Sequence, residues 1–254
     1  MIVEFRPKGH KYTISVDGGK PFKPPSVTGI TGVYDKSGAI AGWSVNNTID
    51  SLRENLRPGV TYSEYEIERL LAEAKKSSYR AKQHAADIGT AAHDWLYRFL
   101  TGEDPELPPD DAPHRNSVDA GLLWFKSRDV HFLDNEKLIY SKKYKYSGRM
   151  DGRALLDGKT TIIDFKTGRI HAEARLQVSA YWQAHLEETG EEADACAIIR
   201  LNKVDGNFES QIIPKDIVKR DFKGFRAAQD LYLNMKRIEK EQRKLETNWL
   251  EEFQ

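Results

Sequence analysis

An Asp-Gly pair at residues 157–158 joins two apolar runs and constrains the fold more than any other feature of this chain. Asp-Gly suits the positive φ angles of a type I′ turn, so the flanking runs should form a β-hairpin with a two-residue turn. Counting outward from the turn places Asp151 directly opposite Asp164. Directly opposed residues leave a sheet on the same face, and Lys166 shares that face with Asp164. The turn therefore predicts two carboxylates and a lysine that converge at one point.

Two like charges that oppose each other destabilise a sheet, so this arrangement needs a compensating positive charge. A divalent cation would supply it, because Mg²⁺ binds one or two carboxylates together with waters and phosphate oxygens. Such an ion activates water and offsets charge on a phosphorane-like transition state. Lys166 would add positive charge near the attacking water or the phosphate. The alternative is a surface hairpin whose acids are solvated or paired with Arg149 and Arg153.

Neither the length nor the net charge of this chain indicates what it binds. The 254 residues suffice for one large α/β domain or two small ones with a substantial core. Lys and Arg total 39, as do Asp and Glu, so net charge gives no evidence for a polyanionic partner. Two local clusters, at residues 75–82 and 142–149, mix basic residues with tyrosines. This mixture suits a nucleic-acid surface, although ordinary solvated surface explains either cluster alone.

Several classes of protein are excluded by what the sequence lacks. A single cysteine, Cys196, rules out an internal disulfide framework and any cysteine-ligated zinc or iron–sulfur site. It lies in an apolar stretch at 195–201 and is expected to be buried. The first residues, 1–6, lead into strand-like alternation rather than a signal peptide, and no apolar run approaches the roughly 20 residues of a membrane span. These features predict a soluble intracellular protein, with no membrane partner.

Strand-like and helix-like patterns succeed each other along the chain and predict an α/β fold with a central mixed β-sheet flanked by helices. We expect a single domain over residues 1–254. Its parts are N-terminal strands within 1–30, a helical part over 31–130, a core over 131–214 and a long C-terminal helix over 215–254.

Within these parts the individual elements follow from periodicity and from turn residues. A turn is expected at Asp17–Gly19, and a helix opening at Ser26 should carry Ile30, Val33 and Trp43. Further helices are predicted at 44–57, 62–100, 114–129 and 172–188. Three or four strands are predicted within 132–166, with further strands at 195–202 and 208–213.

Two of the predicted helices carry polar residues that would complete a site at the hairpin. Small residues precede His93, which would let its helix approach another backbone. A lone helical histidine is more often a hydrogen-bonded core residue, and His84 and Asp94 are competing candidates. Gln177 and Tyr181 lie four apart and share a helix face that would point at the strand ends. Taken alone, this pair would be ordinary amphipathic surface.

Four short motifs occur in a fixed order: Gly89-x-x-x-His93, Gly148-x-x-Asp151-Gly152, Ile163-Asp164-Phe165-Lys166-Thr167 and Gln177-x-x-x-Tyr181. Together they resemble the RecB-type branch of the PD-(D/E)XK nucleases. The resemblance implies a restriction-endonuclease-like core in which His93, Asp151 and Asp164 hold one or two Mg²⁺ or Mn²⁺ ions. It also implies that Lys166 assists the nucleophile, while Gln177 and Tyr181 shape the site.

The resemblance covers roughly residues 24–201. Its first part, Pro25-Ser26-Val27-Thr28, is similar to an element ahead of the core in phage-type exonucleases and mitochondrial genome maintenance exonucleases. That element contacts the DNA strand, which implies DNA-binding roles for Ser26 and Thr28. Glu136 matches an acidic position on the preceding strand of the family, and a surface strand residue is the alternative.

Taken together, these features predict a metal-dependent DNA exonuclease that acts on single-stranded DNA or on a free end. The cellular role would be recombination, repair or replication in a bacterial or phage-infected cytoplasm. A homo-oligomer or a recombination partner protein is compatible with this role. The cysteine-held iron–sulfur cluster of many relatives and a helicase motif are both missing. The alternatives are a non-catalytic DNA-binding or assembly subunit that keeps the nuclease fold, and a structure-selective or restriction-type endonuclease.

Overall fold

The computed structural model describes residues 3–5, 12–16, 19–35 and 37–252. Thirteen elements occur within these residues, and from α3 onward their bounds lie close to the predicted ones. In chain order they are β1 (Val3–Phe5), β2 (Tyr12–Ile14), α1 (Val27–Thr31), α2 (Ser37–Asn55), α3 (Glu64–Leu100), α4 (Arg115–Ser127), β3 (Val130–Ser141), β4 (Tyr146–Leu156), β5 (Lys159–Lys166), α5 (Ala172–Thr189), β6 (Ala195–Leu201), β7 (Phe208–Pro214) and α6 (Lys215–Glu252).

The fold is α/β, as predicted, with a five-stranded mixed sheet in the order β3-β4-β5-β6-β7. Strands β5 and β6 are parallel, and the other neighbouring strands are antiparallel. Helix α5 makes the crossover between the two parallel strands, as a parallel pair requires. Strands β1 and β2 form a separate antiparallel pair.

Helices cover both faces of the sheet and bury an apolar core on each. Helices α1, α5 and the first half of α6 pack on one face, around Tyr146 and Phe225. Helix α4 and the second half of α3 pack on the other face, around Trp124 and Phe165. Strands β5 and β6 contribute to both cores, which explains their nearly continuous apolar sequences. Asp164 interrupts the apolar run of β5 and is fully buried, so its carboxyl group lies where a hydrophobic side chain would be expected.

The predicted β4–β5 hairpin is confirmed. Asp157 and Gly158 have φ angles of 50° and 78°, as a type I′ turn requires. The strands pair in the predicted register from the turn out to Gly152 and Ile163. Because register fixes which face each side chain occupies, this turn sets the direction of every side chain on both strands.

The backbone ladder ends one step before the pair formed by Asp151 and Asp164. In place of a backbone bond, the Phe165 amide N–H donates to Oδ2 of Asp151 at 2.7 Å. The ladder follows the predicted register as far as Gly152 and Ile163, and the next bond across the two strands is made by the Asp151 side chain. This bond fixes the Asp151 carboxylate at the end of the hairpin, beside the residue that follows Asp164.

The helix expected to run from Ser26 to Trp43 is two helices. Helix α1 ends at Thr31, where the Gly32 N–H donates back to carbonyls of the last turn. Helix α2 restarts after Asp35, whose carboxylate accepts from the Ser37 N–H at 2.7 Å. The prediction was wrong because it followed the apolar spacing and missed this local hydrogen bond, which starts a new helix.

The segment 132–166 forms three strands, counting β3, which begins at Val130. Asp17 and Gly18 of the predicted turn lie outside the described residues. No helix in the described part of the chain is long and apolar enough to cross a membrane.

Helix α3 reaches beyond the sheet at its N-terminal end and packs there against α2. A capping box formed by Ser63 and Glu66 begins it, and the Ser77 hydroxyl donates to the Asn47 carbonyl of α2 at 3.0 Å. The second half of α3 lies on the sheet and carries His93 towards the strand ends. One long helix therefore joins a projecting helical hairpin to the core.

Gly152 has no room for a side chain, because a Cβ there would overlap the ring of Phe132 on the neighbouring strand. We expect Gly152→Ala to lower the free energy of unfolding by about 1–3 kcal/mol through overpacking. Gly42→Ala is the matched control, since a Cβ at Gly42 meets open space and should stabilise α2 by about 0.5–1 kcal/mol. Urea unfolding measures both, and an unchanged midpoint for Gly152→Ala would contradict the packing described for this strand.

Candidate metal and catalytic site

A cleft of about 840 Å³ lies where the ends of β4 and β5 meet α3 and α5. It collects nearly all of the residues that the sequence motifs predicted. Those that line it are Thr28, His93, Asp151, Asp164, Lys166, Gln177 and Tyr181, together with Glu136. Motifs far apart in the sequence thus form one surface.

Three of these residues form a cluster that could hold a cation. His93 on α3, Glu136 on β3 and Asp151 on β4 each offer one ligand atom, and these atoms lie within 4.8 Å of one another. His93 Nδ1 is 3.8 Å from Asp151 Oδ2. All three side chains are partly buried, so a ligand in the cleft can reach them although part of each is shielded from solvent. An imidazole and two carboxylates brought together from three elements are a typical donor set for a divalent metal.

Glu136 is the acid that opposes Asp151 across the sheet. The pairs Asn135–Gly152 and Lys137–Met150 place it directly opposite on β3, although the ladder skips the pair itself. Glu136 has φ of 48°, which is uncommon for a residue with a side chain. Strained backbone of this kind occurs where function requires a particular side-chain direction. Glu136, for which a surface strand residue was the alternative, therefore completes the cluster.

Charge within the cluster is balanced by an arginine. The Arg149 guanidinium lies 2.7 Å from the Glu136 carboxylate. Burial and the negative charge of Asp151 nevertheless raise the pKa of Glu136. Arg149 belongs to the Gly148–Gly152 motif, but no local pattern predicts its pairing with Glu136. Arg153 instead pairs with Asp134, 2.5 Å away.

Asp164 lies beside this cluster and is fully buried. Its Oδ2 is 2.6 Å from Lys166 Nζ, yet neither carboxylate oxygen has a hydrogen bond of good geometry. Burial raises the pKa of Asp164 to about 6, with Lys166 opposing the shift and Asp151 adding to it. A buried carboxylate that is incompletely satisfied is costly to keep ionised. A bound cation would offset that cost.

Lys166 is held in place by a chain of hydrogen bonds that ends on α5. Its Nζ donates to Gln177 Oε1 at 3.1 Å, and Gln177 Nε2 donates to the Tyr181 hydroxyl at 2.9 Å. Burial would lower the pKa of Lys166, but the carboxylates of Asp164 and Asp151 outweigh it and raise the pKa. Lys166 is therefore a protonated hydrogen-bond donor in this state.

Gly148 explains how Tyr181 reaches this position. A Cβ at residue 148 would lie 2.8 Å from Cε1 of Tyr181, so only glycine lets the ring pass. Tyr181 is fully buried, and burial raises the pKa of its hydroxyl well above the usual value. Gly148 and Tyr181 belong to separate sequence motifs, and the close contact between them explains why both occur.

Tyr12 is a cleft residue that the sequence did not indicate. It is buried on β2 and lines the cleft. Burial raises the pKa of its hydroxyl, and Arg149 opposes that shift. No local pattern marks Tyr12, because its position depends on the packing of β2 against the distant strand β3.

The two residues expected to contact DNA differ in position. Thr28 lines the cleft, whereas Ser26 caps α1 by accepting from the Gly29 N–H at 3.0 Å. Ser26 also pairs with Ser147 of β4 through its backbone, which ties α1 to the sheet. Of the competing candidates on α3, Asp94 lines the cleft, while His84 is exposed and does not line it.

No protein-family model and no curated protein matches this chain. Among solved structures, SSO0001 is similar at 14% sequence identity, over 76% of this chain and 87% of that chain, with a TM-score of 0.31. Function is therefore inferred from the chemistry of the cleft.

The raised pKa of Asp164 gives a specific pH dependence. From about pH 4 to about pH 6 the unfolded chain loses this proton while the folded protein retains it, so rising pH lowers the stability of the metal-free protein. Asp164→Asn removes this slope. We expect the variant to gain stability relative to the wild type over this range, by at most about 3 kcal/mol.

Urea unfolding with a chelator present, at several pH values, measures this gain. Asp205→Asn is the control, because a hydrogen bond from the Asn207 backbone lowers the pKa of Asp205, which gives a slope of opposite sign. A pH-independent difference between wild type and Asp164→Asn would show that Asp164 titrates normally.

Proposed function

We propose that this chain is a Mg²⁺- or Mn²⁺-dependent nuclease of the RecB-type PD-(D/E)XK branch that hydrolyses DNA. One observation carries the proposal: His93, Glu136 and Asp151 converge to within 4.8 Å of one another, beside the buried Asp164–Lys166 pair. A cluster of acids alone would be unremarkable on a protein surface. Here the acids lie in an open cleft, with a lysine that is held by its own hydrogen-bond chain.

The donor set fits a hard divalent cation. Carboxylate oxygens suit Mg²⁺ and Mn²⁺, and the cluster offers them from Glu136 and Asp151, with Asp164 close by. The incompletely satisfied oxygens of Asp164 point to the same requirement for positive charge. When bound, such an ion lowers the pKa of a water and stabilises charge on a phosphoryl oxygen.

The protein's own residues would supply orientation and a fixed positive charge. Lys166 stays protonated between Asp164 and Gln177, so in this state it donates a hydrogen bond to the attacking water or to a phosphate oxygen and does not accept a proton. Tyr181 anchors Gln177, and Gly148 makes room for Tyr181. A donor fixed in this way needs little reorganisation as charge develops on the phosphate.

A stripe of basic and aromatic residues on helix α3 favours a nucleic-acid substrate. Residues three or four apart share a helix face, and on that basis Lys75, Tyr79 and Lys82 continue the stripe that carries Thr90 and His93 into the cleft. Tyr79 is 71% exposed. Lysines contact a phosphate backbone and an exposed aromatic ring stacks on bases, so this stripe suits a strand that leads to the cleft.

The proposed activity also suggests a cellular role. An exonuclease that acts on a single strand or a free end would serve recombination, repair or replication in a bacterial or phage-infected cytoplasm. A homo-oligomer or a recombination partner protein would complete such a system. Asp151, Asp164 and Lys166 are all present in the cleft. Their presence together favours catalysis over a non-catalytic DNA-binding subunit.

We expect Asp164→Ala and Lys166→Ala each to reduce metal-dependent DNA degradation by more than about a hundredfold. Asp164 would help to hold the cation, and Lys166 would donate directly to the reacting phosphate or water, so each variant loses positive charge at the developing negative charge. DNA binding should persist. Lys159→Ala is the matched control, since Lys159 is an exposed lysine at the far end of the same strand. The assay is digestion of end-labelled single- and double-stranded oligonucleotides with Mg²⁺ and with a chelator.

The outcomes separate the candidate functions. Wild-type rates in both variants would refute the assigned site, and an inactive wild type that still binds DNA would indicate the non-catalytic subunit. Cleavage of closed circular DNA would identify an endonuclease, because an exonuclease requires an end.

A further inference from the structure

A second groove, of about 520 Å³, lies away from the catalytic residues. It is formed by the segment before α1, the turn between β3 and β4, and the middle of α6. Its residues are Phe22, Pro24, Pro25, Lys143, Tyr144, Lys145, Arg226, Gln229 and Leu233. The proposed nuclease function uses none of them. The groove includes Lys143, Tyr144 and Lys145 of the second basic cluster identified in the sequence.

The walls of the groove are apolar and its rim is cationic. Phe22, the two prolines and Leu233 supply the apolar surface, and the Tyr144 ring lies against two of the cations. Phe22 is 38% exposed and Leu233 is 47% exposed, which leaves apolar surface open to a ligand. Lys143, Lys145 and Arg226 supply positive charge. Arg226 pairs with Asp230, 3.4 Å away, whereas neither lysine forms an ion pair within the described part of the chain. No acidic residue lines the groove.

The turn that carries the lysines is tied by hydrogen bonds to helices α5 and α6. Glu187 of α5 accepts hydrogen bonds from the Ser141 hydroxyl at 2.9 Å and from the Lys143 N–H at 3.1 Å. Gln229 of α6 donates to the Tyr144 carbonyl at 2.6 Å. Lys145 has φ of 60°, a left-handed conformation that this network maintains. The cations are therefore presented from a fixed backbone.

We propose that this groove binds an acidic peptide segment of a partner protein through an apolar side chain flanked by carboxylates. The apolar walls would bury the side chain, and the two rim lysines, Lys143 and Lys145, would pair with the carboxylates. This charge complementarity favours a peptide of this composition and disfavours a basic one.

A nucleic-acid strand fits the groove less well. Stacked bases need an open aromatic face, whereas the Tyr144 ring is covered by cations. Lys143 Nζ lies 5.1 Å and Arg226 Cζ 4.6 Å from its centroid. The Phe22 ring contacts Tyr140 edge-on, with centroids 5.7 Å apart. The remaining walls are proline and leucine, which stack poorly on bases.

The test measures binding of a short fluorescent peptide that carries aspartates around a single phenylalanine, using the full chain. Reversing both rim lysines, K143E with K145E, should weaken binding by at least about tenfold, because rim charges govern attraction of a charged partner. K142E is the matched control, since Lys142 lies on the same turn but does not line the groove. The oligonucleotide digestion rate should be unchanged in both.

A second pair of variants tests the apolar wall. Leu233→Ser should weaken peptide binding, whereas Leu231→Ser should not, because Leu231 is equally exposed on α6 but lies outside the groove. Replacing the phenylalanine of the peptide by serine, or its aspartates by lysines, should also abolish binding.

Three results would overturn the proposal. The first is undiminished binding of the acidic peptide by K143E with K145E, or no binding by the wild type. The second is loss of oligonucleotide affinity in that variant while peptide affinity stays unchanged, which would assign the groove to nucleic acid. The third is a wild-type dimer that the same charge reversal converts to monomers, which would assign it to a second copy of this chain.

Discussion

The ion pair between Asp164 and Lys166 is the interaction on which the candidate site depends. It lies at the end of a strand that contributes to both apolar cores, where an ionised side chain is costly to bury. Lys166 compensates part of that cost at 2.6 Å, and the Asp164 carboxyl group remains incompletely satisfied. Electrostatic interactions are stronger where water is excluded, because the effective dielectric constant is lower. A cation and a phosphate bound beside this buried pair would therefore be held more tightly than on an exposed surface.

The surrounding elements serve to place groups around this pair. The turn at Asp157 and Gly158 fixes the register of β4 and β5, and thereby the face that carries Asp151. Strand β3 adds Glu136, whose own backbone has a positive φ angle, and helix α3 adds His93. Helix α5 then fixes Lys166 through Gln177 and Tyr181. Each element contributes one or two groups, so the site exists only once the whole core has folded.

Much of this arrangement could be predicted from local patterns. The hairpin register followed from Asp157-Gly158, and the shared face of Gln177 and Tyr181 followed from helical spacing. The break before α2 was missed because it depends on a hydrogen bond from Ser37 to Asp35. Glu136 was undervalued and Tyr12 was missed, because their positions depend on a strained backbone and on contacts between distant strands. Local sequence carries neither of these signals.

Calorimetric titration with Mn²⁺ tests the central claim most directly, because it detects the cation site whether or not DNA is cleaved. The account predicts saturable binding to the wild type, weakened by at least about tenfold in Asp151→Asn, the magnitude expected when a metal site is disturbed. Asp94→Asn should bind normally, since Asp94 lines the cleft outside the cluster. Absence of saturable binding in the wild type, or equal binding in Asp151→Asn, would contradict the account.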